Sequence, residues 1–153
     1  MQRPAQVTAS RTPTPVQAAQ ALLTAIAISH LVVPLVMGLN QNTLRAQIAT
    51  QHPDFDAAEV ARSATIAVTS GATFHGILLA LCALLAWKLA TARPWTRRLA
   101  TASQLLSVVF SVVSWSSSPM FHAVIPTISA AQILIVALLW FPPTAREFFT
   151  KRS

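Results

Sequence analysis

The feature that most constrains this chain is a long apolar stretch, residues 17–39, that contains no aspartate, glutamate, lysine or arginine. A second stretch, residues 64–87, is equally free of these residues. At ~1.5 Å per residue, a helix of either length crosses a hydrocarbon core about 30 Å thick. Only 10% of the residues are charged, against about 25% in an ordinary soluble domain. The sequence therefore predicts an integral membrane protein.

Two further apolar stretches, residues 99–115 and 121–141, bring the number of predicted spans to four. No segment shows the alternation of apolar and polar residues that is typical of a transmembrane strand. The predicted fold is all-α, a bundle of four transmembrane helices within residues 17–141. Its remaining parts are a flexible N-terminal tail, an external loop and a basic C-terminal tail, at residues 1–16, 40–63 and 142–153.

The external loop carries signals for local structure. Leu44 and Ile48 lie one helical turn apart among polar residues, which predicts a short helix on the membrane surface. Asp56 and Glu59 have the spacing of a capping box and predict the start of the next helix. That helix is expected to project beyond the membrane before it enters the bilayer near residue 64.

The basic residues predict the orientation of the chain. The N-terminal tail holds two of them, residues 88–98 hold four and the C-terminal tail holds three, whereas the other connections hold only Arg45 and Arg62. Cytoplasmic segments of membrane proteins are enriched in lysine and arginine. We therefore predict a multi-pass protein of the plasma (inner) membrane with both termini in the cytoplasm.

The net charge of +7 raises the question of nucleic-acid binding. The basic residues flank the apolar stretches, however, and no groove-reading motif accompanies them. Anionic lipid headgroups and membrane topology explain the charge better. The expected partner is the lipid bilayer, and no nucleic acid is expected.

Two histidines, His30 and His75, lie within the first and second predicted spans. Ionisable groups at membrane depth are costly and are therefore candidates for function. Both are predicted to lie at the same depth, where two imidazoles could ligate haem b iron or another metal ion. The favoured interpretation is simpler: each ring bonds to the backbone, to a serine or to the other histidine, and no cofactor is bound. A role in handling protons or substrate is the third interpretation.

The third and fourth spans carry small polar residues at intervals of three or four. They form a predicted helix-packing or partner-binding face made of Ser103, Gln104, Ser107, Ser111, Ser114 and Gln132. Small hydroxyl residues allow helices to approach closely and to hydrogen-bond across their contact. A mutual hydrogen bond between the two glutamines is expected, and the wall of a polar pathway is the alternative to packing.

Three short motifs carry a resemblance to known proteins. They are residues 53–60 (PDFDAAEV), residues 93–98 (RPWTRR) and residues 141–149 (FPPTAREFF). With these motifs the chain resembles the uncharacterised small four-span membrane proteins of actinobacteria. The resemblance implies a plasma-membrane location and brings no known active site, and the glycine common in that family's basic loop is absent here.

Catalytic signals are weak. No predicted span contains a carboxylate, and neither a nucleophile elbow, a phosphate-binding glycine loop nor a recognisable metal motif is present. The chain is therefore expected to be a non-catalytic accessory or interaction subunit that binds other membrane subunits or copies of itself. The alternatives are a small b-type cytochrome that uses His30 and His75, and a protein that handles small solutes or lipids.

Overall fold

The computed structural model describes residues 12–116 and 119–150, apart from the side chain of residue 120. Within these residues the chain is helical and contains no strand, which confirms the all-α class. The helices are α1 (Thr14–Leu39), α2 (Gln41–Gln51), α3 (Ala57–Leu89), α4 (Pro94–Val113), α5 (Val124–Trp140) and α6 (Pro143–Thr150), with one 3-10 turn at Pro119–Phe121.

Two of the described helices, α1 and α3, are long and apolar enough to cross a membrane. The pair α5 and α6 provides a third if the two are counted as one span, although their axes are bent by 66°. Helix α3 has 33 residues, about 50 Å at ~1.5 Å per residue. It is longer than a hydrocarbon core is thick, and it begins seven residues before Ala64, as expected for a helix that starts outside the bilayer.

The described chain forms two compact units, one of residues 21–87 and one of residues 12–20 with 88–150. In the first unit, Leu44 and Ile48 of α2 are buried together with Ala64 of α3. Met37 of α1 packs against this cluster. The short helix predicted within the external loop is therefore present, and its apolar side faces the other two helices of its unit.

Helix α3 begins with the predicted capping box. The backbone N–H of Glu59 donates to Asp56 Oδ1, and the backbone N–H of Asp56 donates to Glu59 Oε2, both at 2.8 Å. Each carboxylate thus satisfies a backbone donor that has no partner within the helix. These two bonds fix the residue at which α3 starts.

We expect Asp56→Ala to weaken the first turn of α3 by about 1 kcal/mol, the usual cost of removing an N-cap side chain. Hydrogen exchange of the backbone amides of residues 57–60 should become faster, because the cap no longer holds them. Asp54→Ala is the matched control, since Asp54 is exposed two residues earlier and lies outside the box. Equal exchange rates in both variants would contradict the capping role.

In the second unit, α4 packs along α5, and α6 packs against both. The buried residues recur every three or four positions along each helix. They are Thr96, Ala100, Ser103 and Gln104 on α4, Gln132, Ile135 and Leu139 on α5, and Ala145, Phe148 and Phe149 on α6. Each helix therefore presents one face to its neighbours.

Three boundaries differ from the prediction. Helix α4 starts at Pro94, so Arg97 and Arg98 lie in its first turns and not in a loop. Proline suits the first position of a helix, because its fixed φ is helical and its missing N–H has no partner there. Residues 143–150 of the predicted C-terminal tail form α6. Helix α1 begins at Thr14, and the first eleven residues of the predicted N-terminal tail lie outside the described residues.

Candidate functional site

The structure brings the two predicted histidines together in the unit of residues 21–87. The Nδ1 atoms of His30 and His75 lie 2.9 Å apart, and the ring centroids are separated by 5.1 Å. At this distance one Nδ1–H donates to the other Nδ1. The rings therefore form a hydrogen bond between α1 and α3.

The surroundings of this pair are apolar and asymmetric. His30 is buried, with 7% of its surface exposed, whereas His75 is half-buried. The rings of Phe74 and His75 form a T-shaped contact with centroids 5.8 Å apart. The second nitrogen of His30, Nε2, is buried and has no hydrogen-bond partner among the described residues. Of the two ring nitrogens of His30, only Nδ1 forms a hydrogen bond, and its partner is His75.

Helices α1 and α3 run antiparallel through this contact. Met37 lies seven residues after His30, and its Sδ is 3.5 Å from where a Cβ on Gly71 would be. Because Gly71 lies four residues before His75, later residues of α1 contact earlier residues of α3. Consecutive membrane spans joined by a short connection have this relation. The His30–His75 bond lies along the seam between the two helices.

In this arrangement the histidine pair does not fit a haem iron held between two imidazoles. Two metal–nitrogen bonds of about 2.0–2.1 Å on opposite sides of an ion would place the nitrogens about 4 Å apart, which exceeds the observed 2.9 Å. Met37 also fills the space beside Gly71. No cluster of three or more metal-binding side chains is found among the described residues. The haem alternative stays a prediction.

The predicted polar face of α4 lies inside the second unit. Ser103 and Gln104 are buried, and Ser107, Ser111 and Ser114 are half-buried. Gln132 of α5 is also buried, with 1% exposed. The two glutamines are thus buried on helices that pack along each other.

The side-chain amides of Gln104 and Gln132 do not form the predicted hydrogen bond with each other, because neither Oε1 atom accepts a hydrogen bond from the described residues. Gln104 Nε2 lies 3.3 Å from Ser103 Oγ. Gln132 Oε1 is buried and accepts no hydrogen bond from the described residues. Both glutamines are therefore buried, but their side chains are not bonded to each other.

His122 takes part in a local contact. Its Nε2–H donates to the backbone carbonyl of Trp115 at 2.7 Å, and the two rings stack with centroids 4.3 Å apart. The contact closes the connection between α4 and α5. It gives His122 a structural role in the turn that precedes α5.

From the sequence we did not predict a cation–π contact in the second unit, in which one arginine lies beside two aromatic rings. The guanidinium of Arg97 lies 3.9 Å from the centroid of the Trp140 ring and 5.4 Å from that of Phe149. Arg97 and Thr101 share one face of α4, and Trp140 Nε1 donates to Thr101 Oγ1 at 2.7 Å. The four-residue spacing of Arg97 and Thr101 is the signal that could have indicated a shared contact.

A ridge of small residues runs along the outer face of α3. We call it the α3 ridge; its members are Thr65, Thr69, Ala72, Gly76, Ala80 and Ala83, and all are exposed. Spacings of three and four residues place them on one side of the helix. The hydroxyls of Thr65 and Thr69 bond to the carbonyls of Ala61 and Thr65, one turn earlier. A Cβ on Gly76 would meet nothing within 4 Å, so the ridge is open.

No protein-family model, curated protein or solved structure matches this chain.

Proposed function

We propose that this chain is a multi-pass plasma-membrane protein with four spans and cytoplasmic termini, and that it is a non-catalytic interaction subunit of a membrane assembly. The spans would be α1, α3, α4 and α5. The partner would be a transmembrane helix of another subunit, which packs on the α3 ridge. The open ridge is the observation that carries the interaction role.

A membrane location is supported by the distribution of side chains on α4. Its polar residues Ser103 and Gln104 are buried, while Val112 and Val113 are each 69% exposed. A soluble helix has the opposite arrangement, with its polar side toward water. Exposed apolar side chains are expected where lipid or another apolar helix covers the surface.

Four spans are supported by the length and packing of α4. It has 20 residues, so at ~1.5 Å per residue it is about as long as a hydrocarbon core is thick. It packs along α5. Its two arginines lie in its first turns, which suits a helix that enters the bilayer from the cytoplasm.

The interaction role is supported by the chemistry of the α3 ridge. Lipid chains offer no reason for a helix to keep a long row of small residues, whereas a second helix can approach such a row closely. The threonine hydroxyls are already bonded to their own helix, so they can be covered without loss of a hydrogen bond. Large exposed side chains, Ile66, Ile77 and Leu84, line one side of the ridge and would flank the incoming helix.

Purification in a mild detergent tests the proposal. The tagged wild-type chain should sediment with membranes and co-purify with a second membrane protein in fixed ratio. Gly76→Ile should reduce the amount of that partner several-fold, because the branched side chain keeps the helices apart. The recovery of the tagged chain itself should stay unchanged.

Ala102→Ile is the matched control, since Ala102 is a small exposed residue that lies on α4 and not on the ridge. This variant should retain the partner. A wild-type chain that is repeatedly purified alone and monomeric would refute the interaction role. Recovery of a homo-oligomer that Gly76→Ile disrupts would assign the ridge to a second copy instead of another subunit.

A further inference from the structure

We infer that the cluster of Arg97, Trp140 and Phe149, which we call the arginine clamp, binds the phosphate of an anionic phospholipid on the cytoplasmic side of the membrane. The inference rests on the proposed membrane location and orientation. It adds a specific lipid ligand to a protein whose proposed role is interaction with other subunits.

The clamp holds its cation in one position. The Trp140 ring is fixed by its hydrogen bond to Thr101, and the guanidinium lies over that ring at 3.9 Å. The bend of 66° between α5 and α6 lets α6 pack against α4, and Phe149 of α6 lies 5.4 Å from the same guanidinium. Residues of three helices thus hold the guanidinium in place. A freely moving surface arginine has no such contacts.

Two nitrogens of the clamp guanidinium have no acceptor in the described chain. Arg97 Nε and Nη1 are buried and have no hydrogen-bond partner among the described residues. Buried N–H groups without an acceptor are costly, and more so when they carry charge. Aromatic rings attract the cation through their faces but give its N–H groups no oxygen. An anion with several oxygens supplies what is lacking.

The residues around the clamp carry the same sign of charge. Arg93, Arg98 and Arg146 belong to the same unit and are exposed. Glu147 is the only acidic residue between positions 88 and 153. The local field therefore attracts anions.

The aromatic residues identify the source of the anion. Trp95, Trp140 and Phe141 are exposed in this unit, and tryptophan is enriched where the hydrocarbon core meets the headgroups. At that depth the abundant anion is the lipid phosphate, and basic groups near the cytoplasmic surface favour anionic lipids. The planar guanidinium also suits phosphate better than an ammonium group does.

Native mass spectrometry of the full chain in neutral detergent tests the inference. The protein is incubated with equal amounts of phosphatidylglycerol and phosphatidylcholine, and the lipids that stay bound are counted. The wild type should retain phosphatidylglycerol in preference. Arg97→Lys should reduce this preference about fivefold, because lysine keeps the charge but loses the planar stack on Trp140.

Arg98→Lys is the matched control, since it makes the same change at the exposed neighbouring position and should retain the lipid like the wild type. Thr101→Val, which releases Trp140 without changing any charge, should also reduce the preference. It keeps the test decisive if Arg97→Lys does not fold.

Equal losses in Arg97→Lys and Arg98→Lys would mean general surface attraction and would overturn the inference. Displacement of the lipid by inorganic phosphate would overturn the assignment to a lipid. A chain that enters phosphatidylcholine vesicles but shows no preference for phosphatidylglycerol would refute the lipid site alone. A chain that does not enter vesicles at all would refute the proposed membrane location.

Discussion

Phe149→Ala is expected to lower the free energy of unfolding by about 3–5 kcal/mol, the usual cost of truncating a buried phenylalanine. The Phe149 side chain is 1% exposed at the contact of α6 with the rest of its unit. The substitution leaves a cavity there and removes one of the two rings beside Arg97. Thermal unfolding of the detergent-purified protein measures the effect.

Phe141→Ala is the control for this prediction. It makes the same chemical change at a position that is 78% exposed, and we expect an effect within about 0.5 kcal/mol. Faster hydrogen exchange confined to residues 143–150 in Phe149→Ala would show that α6 detaches while α4 and α5 remain folded. Equal unfolding temperatures for the two variants would contradict the packing of α6 described above.

Helix α6 also shows why part of the fold could not be predicted from the sequence. Ala145, Phe148 and Phe149 have the spacing of one helical face, and Pro143 marks a helix start. A helix of eight residues is too short to be stable by itself. Its formation therefore depends on contacts with α4 and α5, which local sequence does not encode. The basic residues of the segment indicated a tail instead.

The start of α3, by contrast, could be predicted, because a capping box is local. Asp56 and Glu59 lie three residues apart and bond to each other's backbone. That interaction does not depend on how the helix packs against the rest of the chain. Long uncharged stretches likewise predict long helices, whose internal backbone bonds are the only ones available in lipid.

Faces of membrane helices were harder to assign than the helices themselves. The serines of α4 were predicted to bind either a neighbouring helix or a partner, and the structure places Ser103 against the interior. The small residues of α3, from Thr65 to Ala83, have the same three- and four-residue spacing and are exposed. Hydrophobicity does not separate inside from outside when lipid is as apolar as the core. Only the arrangement of the helices decides which small face remains open.

The histidine pair gives the second large effect, which is expected to be asymmetric. His75→Leu should lower the free energy of unfolding by about 1–3 kcal/mol, because it leaves His30 buried with neither ring nitrogen bonded. His30→Leu should cost less, since it leaves only the half-buried His75 without its partner and also removes the unsatisfied Nε2 of His30.

The double variant His30→Leu/His75→Leu separates a structural bond from a cofactor site. If the rings only tie α1 to α3, the double change removes donor and acceptor together, so its cost should be smaller than the sum of the single costs by roughly 1 kcal/mol. Additive costs would contradict a direct bond.

The visible absorption spectrum of the purified wild type completes the comparison. A Soret band that both single variants abolish would identify a haem ligand pair and overturn the structural interpretation. A colourless protein, together with a double variant that costs less than the sum of the single variants, would support the structural interpretation.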